Sequence, residues 1–349
     1  MKLGFVIYGS LDTLSGGYMY DRLLVEYLRA QGDTVEIISL PWRNYAAHLT
    51  DNFSFKLPPN LDILIQDELN HPSLIGANLG KHPCPVISLV HHLRCSELRP
   101  KWQNDLYRIV EKKYLNSADG FIFNSQTTKS VVNGLMINMK PSVVAYPPTD
   151  RFGNAISEGA MEERGKKKEL RILFLGNIME RKGLHTLLHA LLILHPSSII
   201  LDIVGSPAIE PNYAKQMQKF VTDNHLSSHV TFHSSLNNQP LKQKLQQAHI
   251  LVVPSSYEGF GIVYLEGMGF GLPAIGTTAG AAREIIEHGK TGYLIEPNDS
   301  TTLAQHIAAL AQDRNLLTQL SINARKRYTQ QPSWNETAHQ IRKFLLDMK

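Results

Sequence analysis

Cysteine is nearly absent: among 349 residues only Cys84 and Cys95 carry thiols. Two thiols without zinc-type spacing supply neither a disulfide framework nor a metal cluster, so a reducing, cytoplasmic setting is expected. No apolar run approaches the ~20 residues that a membrane-spanning helix needs. That leaves a soluble protein, held at most peripherally at the inner face of a membrane. The opening MKLGFVIYGS carries one lysine and an apolar run that stops at Gly9; it reads as a first strand, not as a signal peptide. Charge of one sign is scarce as well, with 35 Lys and Arg against 31 Asp and Glu and a net charge of +4. Such a balance admits anionic substrates or lipid headgroups but lacks the basic signature of a nucleic-acid-binding chain. The run Lys166, Lys167 and Lys168 reads as a solvated stretch. There is no Asp-Xaa-Asp pair and no His/Cys cluster with ligand spacing, so no metal is called for. The G-x-G-x-x-G fingerprint and the Walker loop are missing too, which argues against a dinucleotide-dependent oxidoreductase.

What is present is an alternation. Hydrophobic residues make up 43% and charged residues 19%, the composition of a globular protein, and the length favours two domains over one core. Strand-like runs at 3–8, 35–40, 63–65, 86–90, 120–123 and 143–145 are separated by helix-like segments such as 18–30, 102–116 and 126–135. Pro147-Pro148, several glycines and a charged tract then interrupt the pattern between 146 and 169, as a linker does. Strand-like runs resume at 171–175, 199–204, 230–232, 250–253, 274–276 and 293–295, with helices expected at 185–194 and 214–224. Residues 300–349 read as helix apart from Gln331-Pro332. The expectation is an α/β fold of two doubly wound, Rossmann-like domains, 1–150 and 169–332, joined by a linker at 151–168. Ligands of such sheets sit at the carboxyl ends of the strands, so two facing domains would place a site in the cleft.

The most informative segment is PSSYEGFGIVYLEGMGFGLPAIGT, residues 254–277. A buried strand runs into a turn with Gly259 and Gly261, and a helix is expected to open near Ile262. Glycines let backbone amides approach a ligand, and a helix start favours an anion such as a diphosphate. Glu258 precedes the helix; Glu266 lies inside it on the face of Ile262 and Val263. A carboxylate that accepts two hydroxyl hydrogen bonds suits a vicinal diol, as in ribose or a hexose. A second segment, FLGNIMERKGLHTLLHAL, residues 174–191, carries Arg181 and Lys182 on a loop between strand and helix. A lysine there is a point charge for a leaving diphosphate.

Two glutamates separated by seven residues and followed by Gly271-Leu272-Pro273 resemble the donor motif of the GT4-type retaining glycosyltransferases, the group 1 family with the GT-B fold. The resemblance extends in order along nearly the whole chain. It implies that Glu258 contacts the transferred sugar and Glu266 the ribose, while amides around Phe260, Gly261, Ile262 and Val263 take the pyrophosphate. Two departures stand out. Gly267 and Gly269 occupy helix positions where the family has alanines, and Asn177 stands where the family pattern has an Arg. Either Arg181 substitutes for that arginine or donor activation is weaker. Lys182 fits the pattern.

In the other half, Leu14-Ser15-Gly16-Gly17 follows the first strand. Adjacent glycines there read as a tight turn or as a phosphate cradle, and the resemblance implies the cradle. The strand at 86–90 ends in His91-His92. The resemblance places His91, with His92 second, near the sugar and acceptor. Lys101, Arg108, Lys112 and Lys113 on the helix at 102–116 can attract an anionic acceptor or a membrane; with Asp105 and Glu111 among them, a solvated helix face is expected. The resemblance further implies that a closing helix, about 333–349, packs back onto the first domain. The function implied is retaining transfer of a sugar from a UDP- or GDP-sugar to an acceptor hydroxyl, without a cofactor, in glycan, polysaccharide or glycolipid assembly. Two alternatives stay open: a catalytically weak binding subunit, and a nucleotide-sugar hydrolase or epimerase on the same fold.

Overall fold

A computed structural model of the chain describes all residues except 14, 149, 154, 155, 196 and 197. Leu14 of the Gly-Gly turn and two positions of the 151–168 linker, 154 and 155, therefore lie outside the described residues. The fold divides into two compact units, 1–148 with 332–349 and 149–331.

The first unit runs β1 (Lys2–Tyr8), α1 (Gly16–Ala30), β2 (Thr34–Leu40), α2 (Tyr45–His48), β3 (Ile63–Asp67), α3 (His71–Leu74), β4 (Val86–Val90), α4 (Lys101–Ser117), β5 (Gly120–Phe123), α5 (Gln126–Asn133) and β6 (Ser142–Val144). The second opens with α6 (Glu158–Gly165), β7 (Leu170–Leu175), α7 (Leu184–Leu194), β8 (Ile199–Val204), α8 (Pro211–Asp223), β9 (Val230–His233) and α9 (Asn238–Gln247). It continues through β10 (Ile250–Val252), α10 (Ile262–Gly269), β11 (Ala274–Thr277), β12 (Gly292–Ile295), α11 (Ser300–Gln312) and α12 (Arg314–Thr329). The last helix, α13 (Trp334–Met348), belongs to the first unit.

Each unit is a six-stranded sheet, ordered β2-β1-β3-β4-β5-β6 and β12-β11-β10-β7-β8-β9. Every pairing is parallel. A parallel sheet with helices on both faces buries its central strands on both sides, and all five residues of β3 and of β4 are buried. On one face of the first sheet, Leu24 and Leu28 of α1 and Ile341 and Leu345 of α13 pack over Leu3, Phe5 and Ile7. On the other, Tyr114 and Leu115 of α4 cover Val6, Val86 and Phe121. The seat of α13 is also polar. Ser333 and Glu336 form its capping box, the Trp334 indole donates to the Leu23 carbonyl at 3.1 Å, and Arg342 pairs with Asp33 at 2.7 Å.

Local differences from the sequence pattern have physical causes. The helical stretch 300–349 breaks a second time at Asp313, whose carboxylate accepts from the Leu316 amide and so caps α12. Within the 151–168 stretch, α6 is ordered by side chains that reach distant backbone. The buried Arg164 donates to the carbonyls of Phe270 and Gly271 at 3.0 and 2.9 Å. The two helix glycines of α10 are packing residues: a Cβ at Gly267 would lie 3.0 Å from Leu251, and one at Gly269 would lie 2.8 Å from the Tyr328 ring.

Because Ile341 is fully buried against β1, Ile341→Ala should cost about 2–5 kcal/mol. A chemical-denaturation midpoint unchanged from wild type would show that α13 does not hold the first unit together.

Candidate functional site

In the second sheet β7 and β10 are neighbours, yet the chain leaves them in opposite directions, toward β8 and toward β11. Such a topological switch point opens a crevice at the strands' carboxyl ends. The two segments singled out in the sequence, after β7 and after β10, meet there. Lys182 Nζ donates to Glu258 Oε1 at 2.6 Å across 76 residues of sequence. Ser255 Oγ donates to the same oxygen at 2.6 Å, and Arg181 Nη1 lies 3.9 Å from Oε2 while donating to the Tyr257 carbonyl at 2.7 Å.

Backbone contacts fix these loops against each other. The Ser256 amide donates to the Arg181 carbonyl at 2.8 Å, and the Ala281 amide donates to the Glu258 carbonyl at 2.8 Å. Gly183, at φ +72°, lies so close to the other loop that a Cβ would stand 2.1 Å from the Pro254 oxygen. Gly261, at φ +94°, is the residue from which α10 starts. A left-handed backbone at both positions is one that glycine adopts without strain.

Burial alone would raise the Glu258 carboxyl, but Lys182 and Arg181 outweigh it and hold the group at about 2. A buried carboxylate between two cations stays charged. Phe260 is buried, while Ile262 and Val263 open α10 half-buried. Asn177 follows Gly176 directly beyond the end of β7. It brings no charge, so the cations placed at Glu258 come from positions 181 and 182.

One turn deeper in α10, Glu266 is buried. Its partner was not among the expected site residues: Arg151 Nη1 donates to Glu266 Oε1 at 2.6 Å, and Nη2 donates to Asn238 Oδ1 at 2.8 Å. Burial pushes the Glu266 carboxyl up, and Arg151 only partly offsets it. No periodicity marks Arg151, whose partner lies 115 residues away. Ser255 lies within the 254–277 segment, but nothing in its spacing marked it as a partner of Glu258.

The first unit brings a separate set together. Gly16 and Gly17 are the first residues of α1, capped by Ser15, whose hydroxyl accepts from the Tyr18 amide. Gly17 makes room for His91: a Cβ there would stand 3.2 Å from the imidazole. His91 Nε2 is 3.0 Å from Asp21 Oδ1. Burial would lower this imidazole, but Asp21, Asp67 and Glu68 outweigh it and raise it to about 8. It is therefore mostly a cation near neutral pH. Burial, then the Asp21 charge, pushes the Asp67 carboxyl upward. Asp21 Oδ2 is buried without a hydrogen-bond partner. His92 turns elsewhere, to Glu97 Oε1 at 2.9 Å.

Asp67 ends the fully buried strand β3 next to β1, at the switch point of the first sheet. That position was the available signal for it; Asp21, inside a helix, offered none. Two groups among the described residues, Asp21/Asp67/His91 and Glu68/His71/Glu111, bring three ligand-type atoms within 4.8 Å. In the first group the His91 nitrogen is engaged with Asp21. In the second, Glu111 accepts the backbone amides of Arg94 and Cys95 at 2.6 and 3.2 Å. Shared protons and hydrogen bonds thus account for much of both clusters.

Two doubly wound parallel sheets are the architecture of the GT-B fold. Residues 158–327 match the family of glycosyl transferases group 1. Among curated relatives, an uncharacterized glycosyltransferase of Methanocaldococcus jannaschii is 26% identical over 284 residues, 76% of this chain and 70% of that protein. A GDP-mannose-dependent alpha-(1-6)-phosphatidylinositol monomannoside mannosyltransferase of Mycobacterium tuberculosis is 27% identical over 219 residues, 58% of this chain and 56% of that one. Among solved structures, Anabaena HepE in complex with UDP-glucose superimposes with a TM-score of 0.78 at 19% identity, covering 99% of this chain and all of the other. At that identity the likeness speaks for the fold. The match to the group 1 glycosyltransferases thus falls within the second unit, and the comparisons support a glycosyltransferase.

The Glu258 carboxyl has a sign-definite effect on stability. Its ordinary value of 4.5 falls to about 2 in the fold, so the stabilisation it contributes is complete above pH 4.5 and is lost as pH falls toward 2. The difference in unfolding free energy between wild type and Glu258→Gln should therefore shrink across that window. A difference independent of pH in denaturation series would show that the charge of Glu258 is not its source.

Proposed function

We propose that the protein is a GT4-type retaining glycosyltransferase, moving a sugar from a nucleoside diphosphate carrier to an acceptor hydroxyl. The observation that carries this reading is the Lys182–Glu258 pair of 2.6 Å at the switch point, beside the start of α10. The Lys182 ammonium is a point charge of the kind that binds a diphosphate oxygen. Arg181 and the amides of Phe260, Gly261, Ile262 and Val263 add to the stabilisation of the leaving group. Glu258 is the contact for the transferred sugar and Glu266 the acceptor of the ribose hydroxyls.

The anomeric carbon–oxygen bond to the diphosphate breaks, and the acceptor oxygen bonds to the same face of the sugar. The acceptor proton passes to the leaving phosphate oxygen. In the first unit His91, whose imidazole its carboxylates push up, is the proposed hydrogen-bond donor to a sugar, and the amides of Gly16 and Gly17 are the proposed donors to a phosphate. Structures of HepE with UDP and with UDP-glucose and a relative named for GDP-mannose favour a UDP- or GDP-sugar. The roles in capsular polysaccharide biosynthesis and phosphatidylinositol mannoside assembly in relatives' names support a place in cell-envelope glycan or glycolipid assembly. Asn177 supports the second reading, a weakly active binding subunit, but Arg181 beside Glu258 provides a cation that this reading lacks.

Calorimetry with UDP, GDP, ADP and their sugar conjugates tests the proposal. One nucleotide should bind selectively, and Lys182→Ala should weaken it at least tenfold, about 1.4 kcal/mol. Glu258→Gln should abolish most transfer while the protein remains folded. Equal affinity of Lys182→Ala and wild type, or full turnover by Glu258→Gln, would overturn the assignment.

A further inference from the structure

Glu266 sits in the body of α10 and is only 5% exposed, where a carboxylate is costly unless a partner meets it. The partner comes from outside the helix. Arg151 belongs to the single turn Asp150–Phe152, among the first residues of the second unit. Its guanidinium donates in two directions: Nη1 to Glu266 Oε1 at 2.6 Å and Nη2 to Asn238 Oδ1 at 2.8 Å. Asn238 is the first residue of α9. One planar fork therefore ties the start of α9 to the buried carboxylate of α10, with a rigidity that a lysine ammonium lacks. The turn that carries the fork is anchored as well. The guanidinium carbon lies 4.9 Å from the Phe152 ring centroid, and that ring meets Phe270, just beyond α10, at 5.6 Å in a T-shaped contact.

An ion pair formed for its own sake would turn both N–H groups of the fork onto the carboxylate. Here only one reaches it, so Arg151 fixes Oε1 and spends its second nitrogen on Asn238. The Arg151 side chain is 33% exposed and that of Glu266 5%, which places the guanidinium toward solvent and the carboxylate beneath it. Charge follows the same geometry. The strands under α10, Ile250–Val252 and Ala274–Thr277, hold no ionisable side chain. Helix α12 meets α10 through the Tyr328 ring, over which Arg325 is stacked. Arg151 is the charge that opposes burial at Glu266. Without it, burial would act alone and favour the protonated acid. A protonated carboxyl turns one oxygen into a donor, and it then no longer accepts from both hydroxyls of a vicinal diol.

We propose that Arg151 is the positioning residue for the donor's ribose, holding the Glu266 carboxylate in the orientation that accepts the two ribose hydroxyls. The inference rests on the assignment of Glu266 to the ribose and deepens it. Preference for a ribonucleotide over its 2′-deoxy form then depends on a residue that does not itself touch the sugar.

Calorimetry of the full chain with UDP and 2′-deoxy-UDP, and with GDP and 2′-deoxy-GDP, at a series of pH values tests it. The quantity read is the ratio of the two affinities, in which titration of the phosphates cancels. Wild type should favour the ribonucleotide about tenfold or more, and Glu266→Gln should remove most of that preference. Arg151→Ala should bring the ratio close to that of Glu266→Gln. What preference it keeps should rise with pH as Glu266 loses its proton, and at higher pH than in wild type. Arg151→Lys, a cation without the fork, should recover the wild-type pH dependence but only part of the ratio. A contact that serves stability alone would weaken both nucleotides equally. Should Arg151→Ala fail circular-dichroism checks of folding, Asn238→Ala at an exposed position decides: it releases the fork from α9 and should lower the ratio severalfold, and an unchanged ratio there overturns the proposal. Full ribonucleotide preference in Arg151→Ala, or equal loss of both nucleotides, overturns the role of Arg151 and leaves Glu266 at the ribose. An unchanged ratio in Glu266→Gln, or a wild type that binds none of the four nucleotides, overturns the ribose assignment and this inference with it.

Discussion

A carboxylate buried between two cations, where β7 and β10 part, is the interaction on which the second unit's site rests. Taking Glu258 out of water costs several kcal/mol, and only well-placed partners offset that cost. Lys182 and Arg181 from one loop and Ser255 from the other supply them. The pair is therefore a constraint as well as a charge. It requires the two loops to be held in register, and the Gly183–Pro254 approach and the Ser256–Arg181 backbone hydrogen bond do so. Preorganised charge of this kind acts on a leaving group without reorganising during the reaction, which is how the proposed chemistry uses it.

The neighbouring carboxylate is balanced differently. Glu266 has one cation, Arg151, and burial prevails over it. A ligand with two hydroxyl donors could satisfy this carboxylate where one guanidinium does so only in part. The close fit of α10 over β10, with Gly267 against Leu251, fixes the depth at which Glu266 sits. Glycine inside a helix costs propensity, roughly 1 kcal/mol per position relative to alanine; the missing Cβ leaves room for Leu251 at Gly267 and for the Tyr328 ring at Gly269.

In the first unit the same means of burial and opposite charge produce a different outcome. Asp21, hydrogen-bonded to the His91 imidazole, leads the charges that raise it against burial, while burial and the Asp21 charge push Asp67 toward its neutral form. Gly17, read in the sequence as part of a phosphate turn, also has a packing reason: its missing Cβ is the space beside the His91 ring.

The alternation of apolar runs and helical periods specified both sheets almost strand by strand, because parallel strands buried on both faces must be apolar throughout. The Glu258/Glu266 spacing, the Lys182 loop and the His91 strand end were legible for a related reason: each is a local motif whose members lie within one strand–turn–helix unit. What could not be read are pairings across long separations, such as Arg151 with Glu266 and Asp21 with His91, and the inward turn of Glu111. A side chain's partner is decided by which strands become neighbours and which face of a helix meets them. The residues thus determined by themselves which elements form and which local chemistry each strand end carries. Only the tertiary structure decided which charges are buried together, and with that which of them stay ionised.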